Sequence, residues 1–511
     1  MDARPNEARP GAAPRRRLVI LVTCCLALIL TAMDVTIVNI ALPAIRSDLH
    51  ASVAELQWSI DAYTVVVASL LLLAGSIADR FGRRKTFQIG LWIFSLGSLL
   101  CSVAPSASAL VAFRVLQAVG GSMLNPVAMS IIVNTFIEPK ERARAIGIWG
   151  ASFGVAMAAG PLLGGLLVET IGWRAIFWVN IPFGILALAL SARFFPESRA
   201  DQPRRFDLVA QGLVIATLFA LTSTVIDGRH AGWTSWPIAV GFATTVAGTF
   251  GLVAWESRRR EPMLDPRLFR SLPFAAATLV AVLAFAGFSG FLFLNSLYLQ
   301  EARGMSASAA GLATLPVALG LMVCSPLSGR LVAAGRARVA LVVAGAAMAT
   351  GALLLTTLAQ HTPLAYLLAA YGVFGAGLGT VNAPITNTAV SAMPRSRAAL
   401  ASAVASTSRQ VGASLGVALA GSLAGAGIES AQRSDFVAAT HLVFWVIAGL
   451  GIAIVVLGLV STGARARASA QRVALLLDAS LDAAVSSSRC RTPNRPGCSP
   501  DGASLSSSSA T

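Results

Sequence analysis

Four charged side chains of this 511-residue sequence fall inside stretches that are otherwise apolar: Asp34, Asp61, Arg114 and Arg409. An ionisable group at that depth is costly and is expected to serve a function. A carboxylate that can be brought up to a guanidinium and released again alternates between ionised and protonated forms. Arginine cannot carry the proton itself, because it stays charged. Counted from the nearest span ends, Asp34, Arg114 and Asp61 share the outer third of the first half of the chain, so the three are expected to face one another. The plain alternative for Asp34 and Arg114 is a static ion pair that orients two helices; for Asp61 it is a cation anchor or a vestibule residue. Arg409, followed by Gln410, sits near the middle of its stretch. It needs an acceptor: a carbonyl, a carboxylate or a bound molecule.

The stretches that carry these residues require lipid as their solvent. Hydrophobic residues make up 56% of the chain and charged residues 12%, with a mean hydropathy of +0.73. Soluble domains carry about twice that charged fraction. Fourteen apolar runs, from 18–43 to 439–461, are each long enough to cross roughly 30 Å of hydrocarbon. Loop charge tests that count. Alternate segments, starting from the N-terminus, hold 32 of the 39 Lys and Arg residues, and the intervening loops hold 5. Basic residues collect on the cytoplasmic side, so the asymmetry predicts fourteen spans with both termini in the cytoplasm of a plasma-membrane protein. It also accounts for the net charge of +16 without a nucleic-acid partner. Arg15–Arg17 followed by an apolar run looks like a signal peptide. That run, however, reaches Pro43, contains Asp34 and shows no small-x-small cleavage site, so it is read as a retained span.

The expected organisation is a cytoplasmic tail over 1–17, a six-helix half over 18–194, a linker region over 195–271 with two extra spans, a second six-helix half over 272–461, and a Ser-rich, disordered tail over 462–511. Within that tail, 471–485 could form a short surface helix. Gly150-Ala-Ser-Phe-Gly154-Val-Ala-Met-Ala158 recurs as Gly412-Ala-Ser-Leu-Gly416-Val-Ala-Leu-Ala420, and Gly120…Asn125-Pro126 is echoed by Gly377…Asn382-Ala-Pro384. Fourth and fifth spans thus match twelfth and thirteenth, as a six-plus-six duplication with two inserted spans would require. An even insertion keeps the halves parallel about an axis normal to the membrane.

Further motifs make the pattern specific. They are Gly75-Ser-Ile-Ala-Asp79-Arg80-Phe-Gly82-Arg83-Arg84-Lys85, Arg114…Gln117…Gly120-Gly121, Gly150…Gly154…Gly160-Pro161…Gly164-Gly165, Asp34…Asn39…Pro43 and Trp173-Arg174…Asn180…Pro182…Gly184. Over roughly 18–461 the chain resembles the major facilitator superfamily, and within it the fourteen-span drug:proton antiporters of the EmrB/QacA type. The resemblance implies an all-α bundle of 14 transmembrane helices, with two six-helix halves in pseudo-twofold arrangement plus two inserted helices. It implies export of lipophilic drugs, cationic or zwitterionic ones among them, in exchange for protons. Coupling roles follow for Asp34 and Arg114, with Asp61 as a further candidate. Gly75, Asp79, Arg80, Gly82, Arg83 and Arg84 would form a gating loop. The second-half counterpart, Gly329…Arg336, lacks an Asp, so any latch belongs to the first half. Gly150, Gly154, Gly160, Pro161 and Gly164 would form the antiporter helix, where glycines four apart permit close packing and proline permits a kink. Asn39, Trp58, Tyr63, Gln117, Asn295, Asn382 and Arg409 are the candidates for a substrate cavity.

Enzyme chemistry has little purchase here. The four histidines, His50, His230, His361 and His441, belong to different loops with no metal-ligand spacing. The two lysines, Lys85 and Lys140, do not follow a P-loop glycine. No metal or cofactor is expected, and an ion gradient is the energy source. The six cysteines lie in spans or in the tail, so a disulfide framework is not expected. The sequence leaves the oligomeric state open, and nothing in it argues against a monomer. Competing expectations are a dedicated exporter of one endogenous metabolite, and a non-transporting sensor or subunit whose tail recruits partners.

Overall fold

In lipid a backbone must satisfy its own hydrogen bonds, so apolar runs of this length form helices. The computed structural model describes residues 14–199, 206–259, 265–391, 398–429, 433–473 and 475–476. Among these no strand occurs. The first half comprises α1 (Pro14–Leu49), α2 (Val53–Phe81), α3 (Arg83–Ser102), α4 (Ala107–Thr135), α5 (Pro139–Thr170) and α6 (Ala175–Phe194, interrupted at Val179). Two inserted helices follow, α7 (Leu208–Ala231) and α8 (Trp236–Ser257). The second half holds α9 (Leu272–Leu297, continued by a π-turn over Tyr298–Ala302), α10 (Ala307–Ala333, interrupted at Thr314), α11 (Ala337–Leu355), α12 (Leu364–Ser391), α13 (Ala398–Glu429) and α14 (Arg433–Ser461).

Thirteen of these helices are long and apolar enough to cross a membrane. The other is α3, whose 20 residues include Lys85, Thr86, Gln88 and three serines. Its length still corresponds to about 30 Å, and it packs between α4 and α6. Pro43 does not end the first helix as expected, because α1 runs on to Leu49. The opening of the C-terminal tail, expected to be disordered, is helical over 464–473. There the Leu272 N–H donates to Ser469 at 3.0 Å, and Ala466 and Val473 are buried. The rest of that tail, most of the N-terminal tail and the second half of the expected 471–485 helix lie outside the described residues.

The duplication is visible in the packing. In the first half α1 lies on α5 and α6, α4 on α2 and α3, and α3 on α6. In the second half α9 lies on α13 and α14, α12 on α10 and α11, and α11 on α14. Each pair recurs eight helices later. Close approach in both halves depends on glycine. A Cβ on Gly120 would meet the Phe94 backbone, and one on Gly416 the Ala286 backbone. The halves meet along two pseudo-equivalent seams, α5 against α10 and α13 against α2. The inserted α7 packs on both α2 and α13 and so covers the second seam. Its partner α8 lies outermost, with only 6% of its most apolar window buried and Phe250 and Trp236 exposed.

Gly416→Val should push α13 off α9 and lower stability by about 1–3 kcal/mol. A Cβ at Gly449 on α14 has nothing within 4 Å, so Gly449→Val is the neutral comparison. Thermal unfolding in detergent checks this, and equal stability of the two variants would contradict the packing.

Candidate functional site

Asp34 stands on α1 about 22 Å from the Leu49 end, nearer mid-helix than the outer third expected. It is fully buried, as are Gln117, Ser98 and Asn180, and Arg114 is 1% exposed. Four helices converge on its carboxylate. Arg114 of α4 donates from Nη1 to Oδ2 at 2.5 Å. Gln117, one turn further along α4, donates to Oδ1 at 2.8 Å, and Asn180 of α6 donates to the same oxygen at 3.1 Å. Ser98 Oγ on α3 accepts from both Gln117 and Asn180, at 2.7 and 3.1 Å. Every contact the carboxylate makes is with a donor, as an ionised, acceptor-only group requires.

The guanidinium is equally well held. Its Nε donates to the Ser59 carbonyl of α2 at 3.0 Å, its Nη1 also reaches Gln117 Oε1 at 2.7 Å, and it lies 4.4 Å from the centre of the Tyr63 ring. Charge paired with charge, with the remaining valences filled by hydrogen bonds, is the condition under which a buried pair is tolerated. Asn180 and Ser98 are members that sequence reasoning missed. Asn180 did lie within a recognised motif, but nothing there gave it a partner.

Asp61 does not join this cluster. It points from α2 the other way, towards Ser414 of α13. Beside it Ser414 and Thr222 of α7 share a hydrogen bond at 3.1 Å. The cause of the misplacement is helical: two residues along α2 from Ser59 is the opposite face.

The loop between α2 and α3 is held inside the first half. Asp79 pairs with Arg83 one turn on, at 2.9 Å. Gly82 takes φ +113°, a backbone conformation that favours glycine. The N-terminus of α3 is met by Glu197, whose Oε1 accepts from the Arg84 N–H at 3.2 Å, while the Arg83 N–H donates to the Ser198 carbonyl. An anion at a helix N-terminus opposes the positive end of the helix dipole. Arg84 reaches the Ala192 carbonyl, and Arg80 lies over the Phe206 ring. A Cβ on Gly75 would meet nothing within 4 Å. Among the described residues this loop makes no bond to the second half.

The glycines of α5 divide along its length. Gly160 and Gly164 pack against Thr36 and Ile37 of α1, Gly165 against Ala307 and Ser308 of α10, and the Pro161 carbonyl against Gly311 of α10. Gly154 is in ordinary contact with Leu321 and Met322 of α10, and a Cβ on Gly150 would meet nothing within 4 Å. The seam is thus tight towards the charge-poor face and loose towards the basic face. Gly150 and Gly154 do not make the close pair expected of them, although their repeat partners Gly412 and Gly416 do pack on the α9 backbone.

Polar contacts between the halves, among the described residues, follow the same gradient. Arg46 pairs with Glu301 at 2.8 Å and donates to the Ile428 carbonyl at 3.0 Å. Gln300 donates to the Ile40 carbonyl, the Ser308 N–H to Glu169, and Gln57 to the Ala418 carbonyl. All lie towards the charge-poor face, where Arg229 of α7 adds a pair with Glu429. A small, largely apolar cleft lined by Thr36, Met157, Phe288, Leu292 and Leu321 remains between α1, α5, α9 and α10.

The expected cavity residues scatter. Gln117 and Tyr63 belong to the Asp34–Arg114 cluster, and Trp58 packs on Phe219 of α7. Asn39 is buried and donates to the Val35 carbonyl, and buried Asn295 accepts from the Tyr371 hydroxyl. Asn382 and Arg409 remain partly exposed in mid-helix. Among the described residues no cluster of His, Cys, Asp or Glu could hold a metal ion.

Known proteins carry the same architecture. The chain shares 37% identity over 409 residues with the multidrug resistance protein Stp of Mycobacterium tuberculosis, covering 80% of this chain and 76% of that one. It is 35% identical to the tetracenomycin C resistance and export protein of Streptomyces glaucescens, over 79% and 75% of the two chains. With the multidrug efflux pump LfrA of Mycolicibacterium smegmatis it is 35% identical over 83% of each. The crystal structure of a bacterial homolog to the human lysosomal transporter Spinster, inward-facing and unoccupied, superposes with a TM-score of 0.60 at 19% identity, covering 91% of this chain and 98% of that one. The family model for the Major Facilitator Superfamily matches residues 24–417 and 277–476. A duplicated all-helical bundle with that match belongs, as its sequence motifs and packing require, to the Major Facilitator Superfamily.

Proposed function

We propose that this protein exports lipophilic drugs or antibiotics across the plasma membrane in exchange for protons, with Asp34 as the proton site and Arg114 as its switch. The observation that carries the reading is the buried Asp34–Arg114 pair on the same helix that meets the second half. Two and three residues beyond Asp34, Thr36 and Ile37 receive the α5 glycines, and Ile40 and Arg46 bond to α9. A proton arriving at Asp34 replaces the acceptor that Arg114 needs, so the guanidinium must find another partner. That rearrangement shifts α1 against α5 and so loads the seam between the halves. The basic loops put the loose side of the seam in the cytoplasm, which makes the described conformation open inward and closed outward. Asp61, buried beside the other seam next to Ser414, is a second protonatable group of the same cycle. Asp79 acts within the first half, stiffening the loop at the cytoplasmic mouth. The names of the similar proteins, multidrug and antibiotic exporters, support the substrate class.

Cells that make the wild-type protein should accumulate several-fold less of multiple members of a lipophilic antibiotic panel, and a protonophore should abolish the difference. Asp34→Asn, at equal expression, should accumulate as much as cells without the protein. Full export by that variant would overturn the coupling role, and export of no panel member would overturn the broad substrate range.

Stability separates the pair's parts. Arg114→Gln alone leaves a buried carboxylate without its cation and should cost about 3–5 kcal/mol. Asp34→Asn combined with Arg114→Gln should recover much of that loss in thermal unfolding. A double variant no more stable than Arg114→Gln would contradict a direct pairing.

A further inference from the structure

Arg409 is the second mid-span arginine, and its surroundings differ from those of Arg114. Its Nη2 donates to Thr386 Oγ1 of α12 at 2.7 Å and its Nη1 to Ser406 Oγ at 3.4 Å. Its Nε is buried and has no hydrogen-bond partner. The guanidinium carbon stands 6.0 Å from the centre of the Phe285 ring of α9. Among the described residues no carboxylate forms an ion pair with it, whereas Arg114 has Asp34 at 2.5 Å. Its hydrogen-bond acceptors are neutral hydroxyls. Thr386 is further committed, because it passes its own proton to the Asn382 carbonyl one turn back. A guanidinium carries five donors in a planar fork suited to two oxygens of one anion. Here that fork is mid-membrane, partly exposed, and short of negative charge.

We infer that Arg409, with Thr386 and the Phe285 ring, forms a subsite for an oxyanion on the exported molecule, a carboxylate or an acidic phenolate attached to an apolar ring system. The inference rests on the export reading and narrows it: favoured substrates are lipophilic acids or zwitterions rather than permanent cations. The oxyanion takes the free edge of the guanidinium, and the attached ring packs on Phe285. Neutral or cationic molecules of the same shape gain the apolar contact alone. The second half thereby supplies a charge contact to cargo, while the first half keeps its own arginine occupied with Asp34.

The test compares three probes with one ring system, 1-naphthaleneacetate, 1-naphthaleneacetamide and 1-naphthylmethylammonium, binding as radiolabelled ligands to the purified full-length protein. The acetate should bind tightest to wild type. R409Q should weaken the acetate roughly tenfold to a hundredfold, the worth of a charge-assisted bidentate contact, and leave the amide and the ammonium unchanged. R409K, which keeps the charge and loses the fork, should fall between. If wild type binds acetate no tighter than amide, a comparison that needs no variant, the oxyanion subsite is wrong and export of neutral drugs still stands. An equal loss for acetate and amide in R409Q would mean that Arg409 only supports the helix packing. Binding of none of the three would overturn this inference and leave the export reading to the accumulation assay.

Discussion

A carboxylate in the apolar middle of a helix bundle has to draw its donors from the bundle itself, because no water is there to supply them. In this chain two neighbouring helices provide them and a third braces the donors. Asp34 of α1 takes bonds from Arg114 and Gln117 of α4 and from Asn180 of α6, with Ser98 of α3 bracing the two amides. Arg114 in turn ties α2 through the Ser59 carbonyl and the Tyr63 ring. The orientation of five of the six helices in the first half is therefore coupled to the charge on one side chain. A site of that kind is sensitive to one proton, since adding it occupies an acceptor that Arg114, Gln117 and Asn180 share.

The seam between the halves lies along the same helix. Thr36 and Ile37 follow Asp34 on α1 and are the residues against which Gly160 and Gly164 of α5 rest. The C-terminal end of the same helix carries Arg46, paired with Glu301. The glycines let α5 approach the Thr36 and Ile37 side chains closely. On the pseudo-equivalent seam, α7 bridges α2 and α13, with Gln211 donating to the Ser69 carbonyl and Thr222 bonded to Ser414. The inserted helix is thus a strap across one seam, and its neighbour α8 faces lipid.

Much of this was legible in the sequence, for identifiable physical reasons. Hydropathy and loop charge located the helices, because lipid imposes both signals strongly. The repeat of Gly150–Ala158 at Gly412–Ala420 exposed the duplication, which the packing reproduces. Pairing of Asp34 with Arg114 followed from their depth and opposite charge. Faces were less accessible. Trp58 and Asp61 point to α7 and α13, and Gln117 to Asp34, because a helix turns 100° per residue and sequence distance fixes depth alone. Glu197 as the cap of α3 and Asn180 as a ligand of Asp34 depend on tertiary placement. Pro43 continues its helix, and Gly150 lacks the close contact its repeat partner makes, so motif identity did not determine local role.

Proton release on substrate binding tests the central claim most directly. Purified protein in weakly buffered detergent solution, mixed with a saturating exported drug, is followed with a pH-sensitive dye. The account predicts that wild type exchanges protons with the solution on binding, and that Asp34→Asn, folded and able to bind the drug, exchanges measurably fewer. Identical exchange by the two proteins would contradict the assignment of Asp34 as the group that links proton to cargo.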